Sequence, residues 1–414
     1  MTARVAPATT AERQRLPAAY VVWSGAAATS TLGSSAFGFA MTWYATGVSA
    51  GLTGLVGVLT TLPTAALLLL GGAVADRFGV RRMLIAGDAV MLALSVFVVA
   101  IATTVGVHPW LLIAVALVDG VESAFYLPAA GVVPRLFATG DALPRATAFN
   151  STLTQLARIA GPPCGALAVT AVAFAGTAAV DGVTFLLILL VLIRIRPPHA
   201  PVPSTDEPSG LSVLRPLTAV WGDPQLRAVI VTTGVIAAAV LPSVIYGPSL
   251  LARESGWGPG ASGLIEVGWL VGGVVVTTLI ARRGTSHRIG LAVAAGLLMV
   301  GAGLSGMALS PLPVATFGCA VVLGLGVSVC TGHLWPAYLL ATPMDQLGRY
   351  QSLLVFAQMA TLLVATVIFT TVAGQLSARW SIALCAAVVL LTLAWWTARK
   401  RGWTKNGDAV VSTV

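Results

Sequence analysis

Five carboxylates, Asp88, Asp119, Glu122, Asp181 and Glu266, and one arginine, Arg158, stand inside long apolar runs of this chain. Ionised side chains are costly in hydrocarbon and are kept there for proton relays, ion paths or substrate contacts. Asp119 and Glu122 lie three residues apart, so on a helix they share one face. They fall about nine and twelve residues inward from Trp110, near mid-membrane at ~1.5 Å per residue. A carboxyl pair at that depth can take up a proton on one side and release it on the other. Arg158, about eleven residues into its own run, reaches ~17 Å, and Glu266, about six residues in from the opposite face, comes to a similar level. An unpaired Arg at that depth is expensive, so at least one of Glu266, Asp119 and Glu122 is expected to neutralise it. The resulting expectation is a proton-coupling site of Asp119, Glu122, Arg158 and Glu266, with Asp119 the first proton carrier, Glu122 its partner and Arg158 the switch. Asp88 follows a cluster of arginines by about two turns and is expected to pair with them, while Asp181 is read as one side of a helix-helix bond.

Other chemistries are not supported by the residue pattern. The four cysteines, Cys164, Cys319, Cys330 and Cys385, are far apart and without metal-ligand spacing, and read as small buried hydrophobes. There is no phosphate-binding Gly-Lys loop, no HExxH run and no nucleophile elbow. No catalytic residue, metal or organic cofactor is therefore expected, and the chain is not read as an enzyme.

The elements that must hold these charges are membrane helices. The 414 residues are 57% hydrophobic and 9% charged, against roughly a quarter charged in soluble domains. Apolar runs are read near 20–44, 52–73, 83–105, 110–133, 148–172 and 175–195, then 225–251, 260–281, 289–309, 312–340, 350–376 and 380–396. Each is close to the ~20 residues a span needs. The expected fold is an all-α polytopic membrane protein of twelve transmembrane helices in two six-helix halves, 1–195 and 224–414. Between them, 196–223 is Pro-rich and polar and reads as a linker. The net charge of +9 is dispersed in twos and threes between spans, without the aromatic-interleaved stripe that nucleic acid would require. All basic residues except Arg158, Arg253 and Arg379 fall in alternate loops, which makes both termini and the linker cytoplasmic. The first apolar run is of full span length and is not read as a cleavable leader. A weak internal repeat, Tyr126-Leu127-Pro128-Ala129 against Leu334-Trp335-Pro336-Ala337, supports the division into halves.

The loop from Gly71 to Arg82 is dense in Gly and charge. Its spacing, Gly72-x-x-x-Asp76-Arg77-x-Gly79-x-Arg81-Arg82, resembles the signature that joins the second and third helices in the major facilitator superfamily. Gly72 is expected to let two helices approach, Gly79 to permit a tight turn, and Asp76 with Arg77 and Arg81 to make charge pairs that change as helices rock. In the fifth run, Ala157-Arg158-Ile159-Ala160-Gly161-Pro162-Pro163-Cys164-Gly165-Ala166 resembles the antiporter motif of drug-exporting members, with two glycines replaced by Ala157 and Ala166. Small residues every four positions make a packing groove, and the prolines bend the helix. In that family the motif packs helix 5 against helix 8, which makes Glu266 the favoured partner of Arg158. Asn150, Gln155, Phe125 to Ala129, Asp181-Gly182 and Phe185 are similar to the macrolide and enterobactin exporter branch.

That resemblance implies proton-driven efflux of a hydrophobic or amphipathic small molecule, a drug, siderophore or secondary metabolite, by a monomer in a bacterial cytoplasmic membrane. The partners it implies are the lipid bilayer, the substrate and protons. Phe37, Phe39, Tyr246, His333 and Trp335 lie on helices expected to line the cavity, although each alone also suits ordinary packing. Uptake or facilitated diffusion of a metabolite, and a non-transporting sensor with the same fold, are the competing readings.

Overall fold

The computed structural model describes residues 16–140, 142–196, 198, 224–286, 288–340, 342 and 347–403, and every regular element among them is helical. In chain order these are α1 (Ala18–Val48), α2 (Ala50–Phe78), α3 (Val80–Thr104), α4 (Pro109–Phe137), α5 (Ala142–Arg194), α6 (Pro224–Ile245), α7 (Gly247–Glu254), α8 (Pro259–Arg283), α9 (Ile289–Leu309), α10 (Pro313–Leu340), α11 (Leu347–Gln375) and α12 (Ala378–Trp403). Ten of them are long and apolar enough to cross a bilayer.

One of the ten, α5, crosses twice. Its 53 residues are broken at Ala173 (φ 54°, ψ −166°), a left-handed conformation that an alanine rarely adopts. The arm 142–172 runs parallel to α1, with the Tyr20 hydroxyl donating to Ala146 O at 2.7 Å and Gly161 and Gly165 seated on Ser35 and Ala36. The arm 174–194 returns along the same helix, from Phe174 beside Tyr44 to Asp181 and Thr184 beside Gly33. The remaining long helix, α1, has 31 residues, or about 46 Å at helical rise. Its many Ser, Thr and Gly residues lower its hydropathy, and several face neighbours rather than lipid: Ser24 and Ser30 are buried, and Thr31 donates back to Ala27 O. Twelve crossings result among the described residues, as expected from the sequence. The seventh is bent at Tyr246, between Pro242 and Pro248, where missing N–H donors weaken the helix.

The two halves repeat one packing scheme. In the first, α1 packs on both arms of α5, α2 on α4, and α3 on α4 and α5; in the second, α6 packs on α11 and α12, α8 on α10, and α9 on α10 and α12. Across the halves α2 meets α11 and α5 meets α8. Exchanging the halves turns one pair into the other, which is a pseudo-two-fold relation that the weak sequence repeat only hinted at. Most of the linker, 199–223, lies outside the described residues.

Without a hydrophobic force between helices in lipid, close van der Waals contact holds such pairs together. Gly120 of α4 lies directly on Leu59 O and Thr60 O of α2, and Thr64 donates to Gly120 O at 2.8 Å. Lower on the same pair, Gly71 abuts Ala124 O. This corrects the expectation for Gly72, around which there is open space: the preceding glycine carries the helix approach, because it is the one turned toward α4. Gly79 does form the turn expected of it, with φ 91°. Arg81 donates from Nε to Leu192 O (3.1 Å) and from Nη2 to Ile193 O (3.0 Å), closing the last turn of α5. Arg77 lies over the Phe78 ring and is exposed, as is Arg82, and the side chain of Asp76 is outside the described residues.

Gly120→Ala should therefore separate α2 from α4, because a Cβ would meet two backbone carbonyl oxygens at 2.5 and 2.6 Å. Gly72→Ala should be neutral or stabilising by up to about 1 kcal/mol, as for an unobstructed helical glycine. Melting of the two purified variants against the parent checks this; equal behaviour of the pair would contradict the packing.

Candidate functional site

Four carboxylates gather inside the first half. Asp119 and Glu122 stand one turn apart on α4, which Gly120 fixes against α2. The position of Glu122 turns it toward α3, where its Oε1 would be 2.7 Å from a Cβ at Gly87. One turn further, Tyr126 lies against Asp88 of α3. Asp88 is 1% exposed, and neither carboxylate oxygen has a partner in hydrogen-bond geometry. On the second arm of α5, Asp181, also 1% exposed, accepts from Ser34 Oγ at 3.3 Å and Thr184 Oγ1 at 3.4 Å. The α1 to α5 bond read for Asp181 in the sequence is thus present. Asp119 lies within electrostatic reach of both Glu122 and Asp181, and Glu122 within reach of Asp88. The result is one acidic cluster spread over α3, α4 and α5.

No basic side chain enters it among the described residues. An ion pair elsewhere joins Arg379 to Glu254 at 3.8 Å, near the ends of α7 and α12 away from the chain termini. Two sequence expectations are corrected by this. Asp88 does not pair with the loop arginines, because Arg81 is committed to the carbonyls that end α5. Arg158 is exposed and makes no ion pair with Glu266, Asp119 or Glu122. The reason is where α5 and α8 touch. They meet at Ala166 and Gly263, and Arg158, eight residues before Ala166, lies ~12 Å back along the helix from that contact. Glu266 sits on α8 one turn beyond Gly263.

Among the described residues, the close contacts that join the halves lie toward one end of the bundle, opposite the termini. On α2 and α11, Gly54 abuts Thr370, Gly57 abuts the Tyr246 hydroxyl and Thr366, and Gly374 faces Ala50. On α1 and α7, Arg253 Nη2 donates to Trp43 O at 3.0 Å while its guanidinium stacks 3.9 Å from the Trp43 ring centroid, a cation–π contact strengthened by partial desolvation. The antiporter-like strip is divided between two neighbours: Ala157, Gly161 and Gly165 are buried, with both glycines packed on α1, and Pro162, Pro163 and Ala166 face Gly263 of α8.

The five aromatic and polar residues expected around one cavity are distributed instead. Phe37 packs on Phe174 (5.4 Å) and Phe39 stacks on Trp43 (6.5 Å, 6°), both in the first-half core. Tyr246 belongs to the seal between halves. His333 accepts from Ser286 N at 3.0 Å and binds Val329 O at 2.8 Å, fixing the turn after α8 to α10, and Trp335 packs on the second-half core. They separate because side chains at helical spacing fill whichever neighbour is closest. Tyr126 was passed over as a site residue in the sequence, although its position four residues after Glu122 on one helix face was the available signal.

The Major Facilitator Superfamily model matches residues 23–364. Among solved structures, a point mutant of the nucleoside transporter NupG superposes with TM-score 0.73 at 12% identity, covering 92% of this chain and all of that one. A bacterial homolog of the human lysosomal transporter Spinster is similar in two inward-facing structures. The occupied form gives TM-score 0.67 at 12% identity over 93% of this chain and 97% of that one; the unoccupied form gives 0.68 at 11% over 95% and 99%. No curated protein matches the chain.

The seal makes a direct test possible. An ideal Cβ on Gly374 would lie 3.5 Å from the Ala50 Cβ, within disulfide range. The double variant Ala50→Cys, Gly374→Cys should cross-link on mild oxidation, read as a resistant shift on a non-reducing gel after cleavage between the halves. Absence of the cross-link would overturn the placement of the seal.

Proposed function

Because the chain belongs to the Major Facilitator Superfamily, we propose that it is a secondary active transporter, exchanging protons for a hydrophobic or amphipathic small molecule and carrying that molecule out of the cell. The acidic cluster supports this reading most. Four carboxyls in a water-poor interior without a cation cannot all be charged, because desolvation and mutual repulsion both oppose it. Some of them hold protons, and a change in solvent access changes how many. Asp119, between Glu122 and Asp181, is the group through which such a change spreads to both. Arg158 and Glu266 lie on facing helices of different halves, displaced from each other while the halves meet at the far end. Rocking about that contact brings them together, which supplies a charge pair belonging to the other state.

The site requires neither nucleotide nor metal; the free energy is that of the proton gradient, and a monomer is sufficient. The positive-inside charge distribution supports a bacterial cytoplasmic membrane location with both termini cytoplasmic, so that the closed end faces outward and the substrate enters from within. Labelling of a cysteine introduced at Ser204 checks this: it should react only in permeabilised cells, and reaction in intact cells would invert the topology.

The transport reading is tested in inverted vesicles with candidate drugs, siderophores and nucleosides, with and without an imposed pH gradient. The parent should accumulate its substrate only with the gradient. Asp119→Asn and Glu122→Gln should each lower that accumulation, and the double variant should abolish it while leaving downhill flux. A double variant that still concentrates substrate with an unchanged pH profile would make the pair structural. Accumulation in right-side-out vesicles instead would favour uptake.

A further inference from the structure

Between α3 and α4 lies a cavity of about 430 Å³, within the size range of small-ligand pockets. It opens to the surface of the first half: Val90 of α3 and Leu117 of α4, both in its wall, are exposed, as side chains turned to lipid would be. Its wall is apolar, with Met83, Val90, Leu117 and Phe125 contributing, and its polar groups are Glu122 and Tyr126. Gly87 gives Glu122 the room to reach it, since a Cβ at that position would collide with Oε1.

The geometry points to a binding site for a lipophilic amine dissolved in the bilayer, its apolar body in the groove between α3 and α4 and its protonated nitrogen against Glu122. Two observations choose this occupant. The charged group in the wall is an acid, and the groups behind it, Asp88 and Asp119, are acids too, so the site attracts a cation and repels phosphate or carboxylate. Glu122 is thirteen residues from the first residue of α4, ~20 Å along the helix. At that depth the headgroup of a phospholipid does not reach it without leaving the interface, whereas an acyl chain would fill the apolar wall and leave the carboxylate without a counter-charge. Met83 at one end of the groove allows bodies of different shape.

This goes beyond the transport reading. Glu122 is common to both, but occupancy of the groove needs neither a gradient nor turnover, and the two are tested separately. The full chain in phosphatidylcholine nanodiscs, without a gradient, is irradiated with a diazirine-bearing dodecylamine, and in parallel with the matching dodecanol and dodecanoic acid; labelled peptides are then mapped. The amine should label the segment 83–126, saturably with unlabelled dodecylamine and roughly tenfold above the alcohol, as expected when a desolvated charge pair forms. Glu122→Gln should reduce amine labelling to the level of the alcohol. Val90→Trp, which keeps the carboxylate and fills the groove, should remove labelling by both; variants are compared only as monodisperse, correctly melting protein. Equal labelling by amine, alcohol and acid, or amine labelling that survives either substitution, would overturn the assignment.

Discussion

Hydrocarbon offers a polar group no hydrogen bond and a charge no hydration, and the structure of this chain follows from that constraint. Backbone groups must be satisfied within their own helix, so every described element is helical and irregular backbone falls at the ends of spans. Helices then have no hydrophobic reason to prefer each other over lipid, and they associate where small residues bring backbones close. Gly120 on the carbonyls of Leu59 and Thr60, with the Thr64 hydroxyl bonded across the pair, is the clearest case. That contact sets the rotation of α4, and with it Glu122 faces Gly87 of α3 while Asp119 comes within electrostatic reach of Asp181.

The acidic cluster is the place where the same constraint is left unsatisfied. A soluble protein would hydrate four neighbouring carboxyls or pair them with lysine. Here two of them, Asp88 and Asp181, are buried almost completely, and the arginines that the sequence set against them lie elsewhere: Arg81 on backbone carbonyls, Arg77, Arg82 and Arg158 exposed. In the proposed reading protons supply the remaining counter-charge, and a cluster that is costly as architecture is kept for its use in coupling.

The opposite end of the bundle works on different terms. There the halves are joined by close glycine contacts and by Arg253 stacked on Trp43, with Tyr246 reaching from the bend of the seventh crossing to α2. Among the described residues these contacts include no deep charge pair. The pseudo-two-fold relation pairs α2 with α11 and α8 with α5 in two equivalent seams, the arrangement that the proposed rocking would use.

Much of this was legible in the chain before any coordinates, because bilayer thickness and dehydration act on composition alone. Span number, the break near 173 and the turn at Gly79 all follow from run length and turn chemistry. What a run of apolar residues does not encode is rotation, since lipid and protein neighbours are equally apolar and the helical pattern carries almost no moment to distinguish them. For that reason the sequence pointed to Gly72, whereas it is Gly71 that meets α4. It could place Arg158 and Glu266 at one depth but not show that their helices touch at Ala166 and Gly263 instead. Phe37, Phe39, Tyr246, His333 and Trp335 shared a type without sharing a site. Only the tertiary structure, by fixing how each helix is turned, brought Asp88, Asp119, Glu122 and Asp181 together and left Arg81 and Arg158 apart from them.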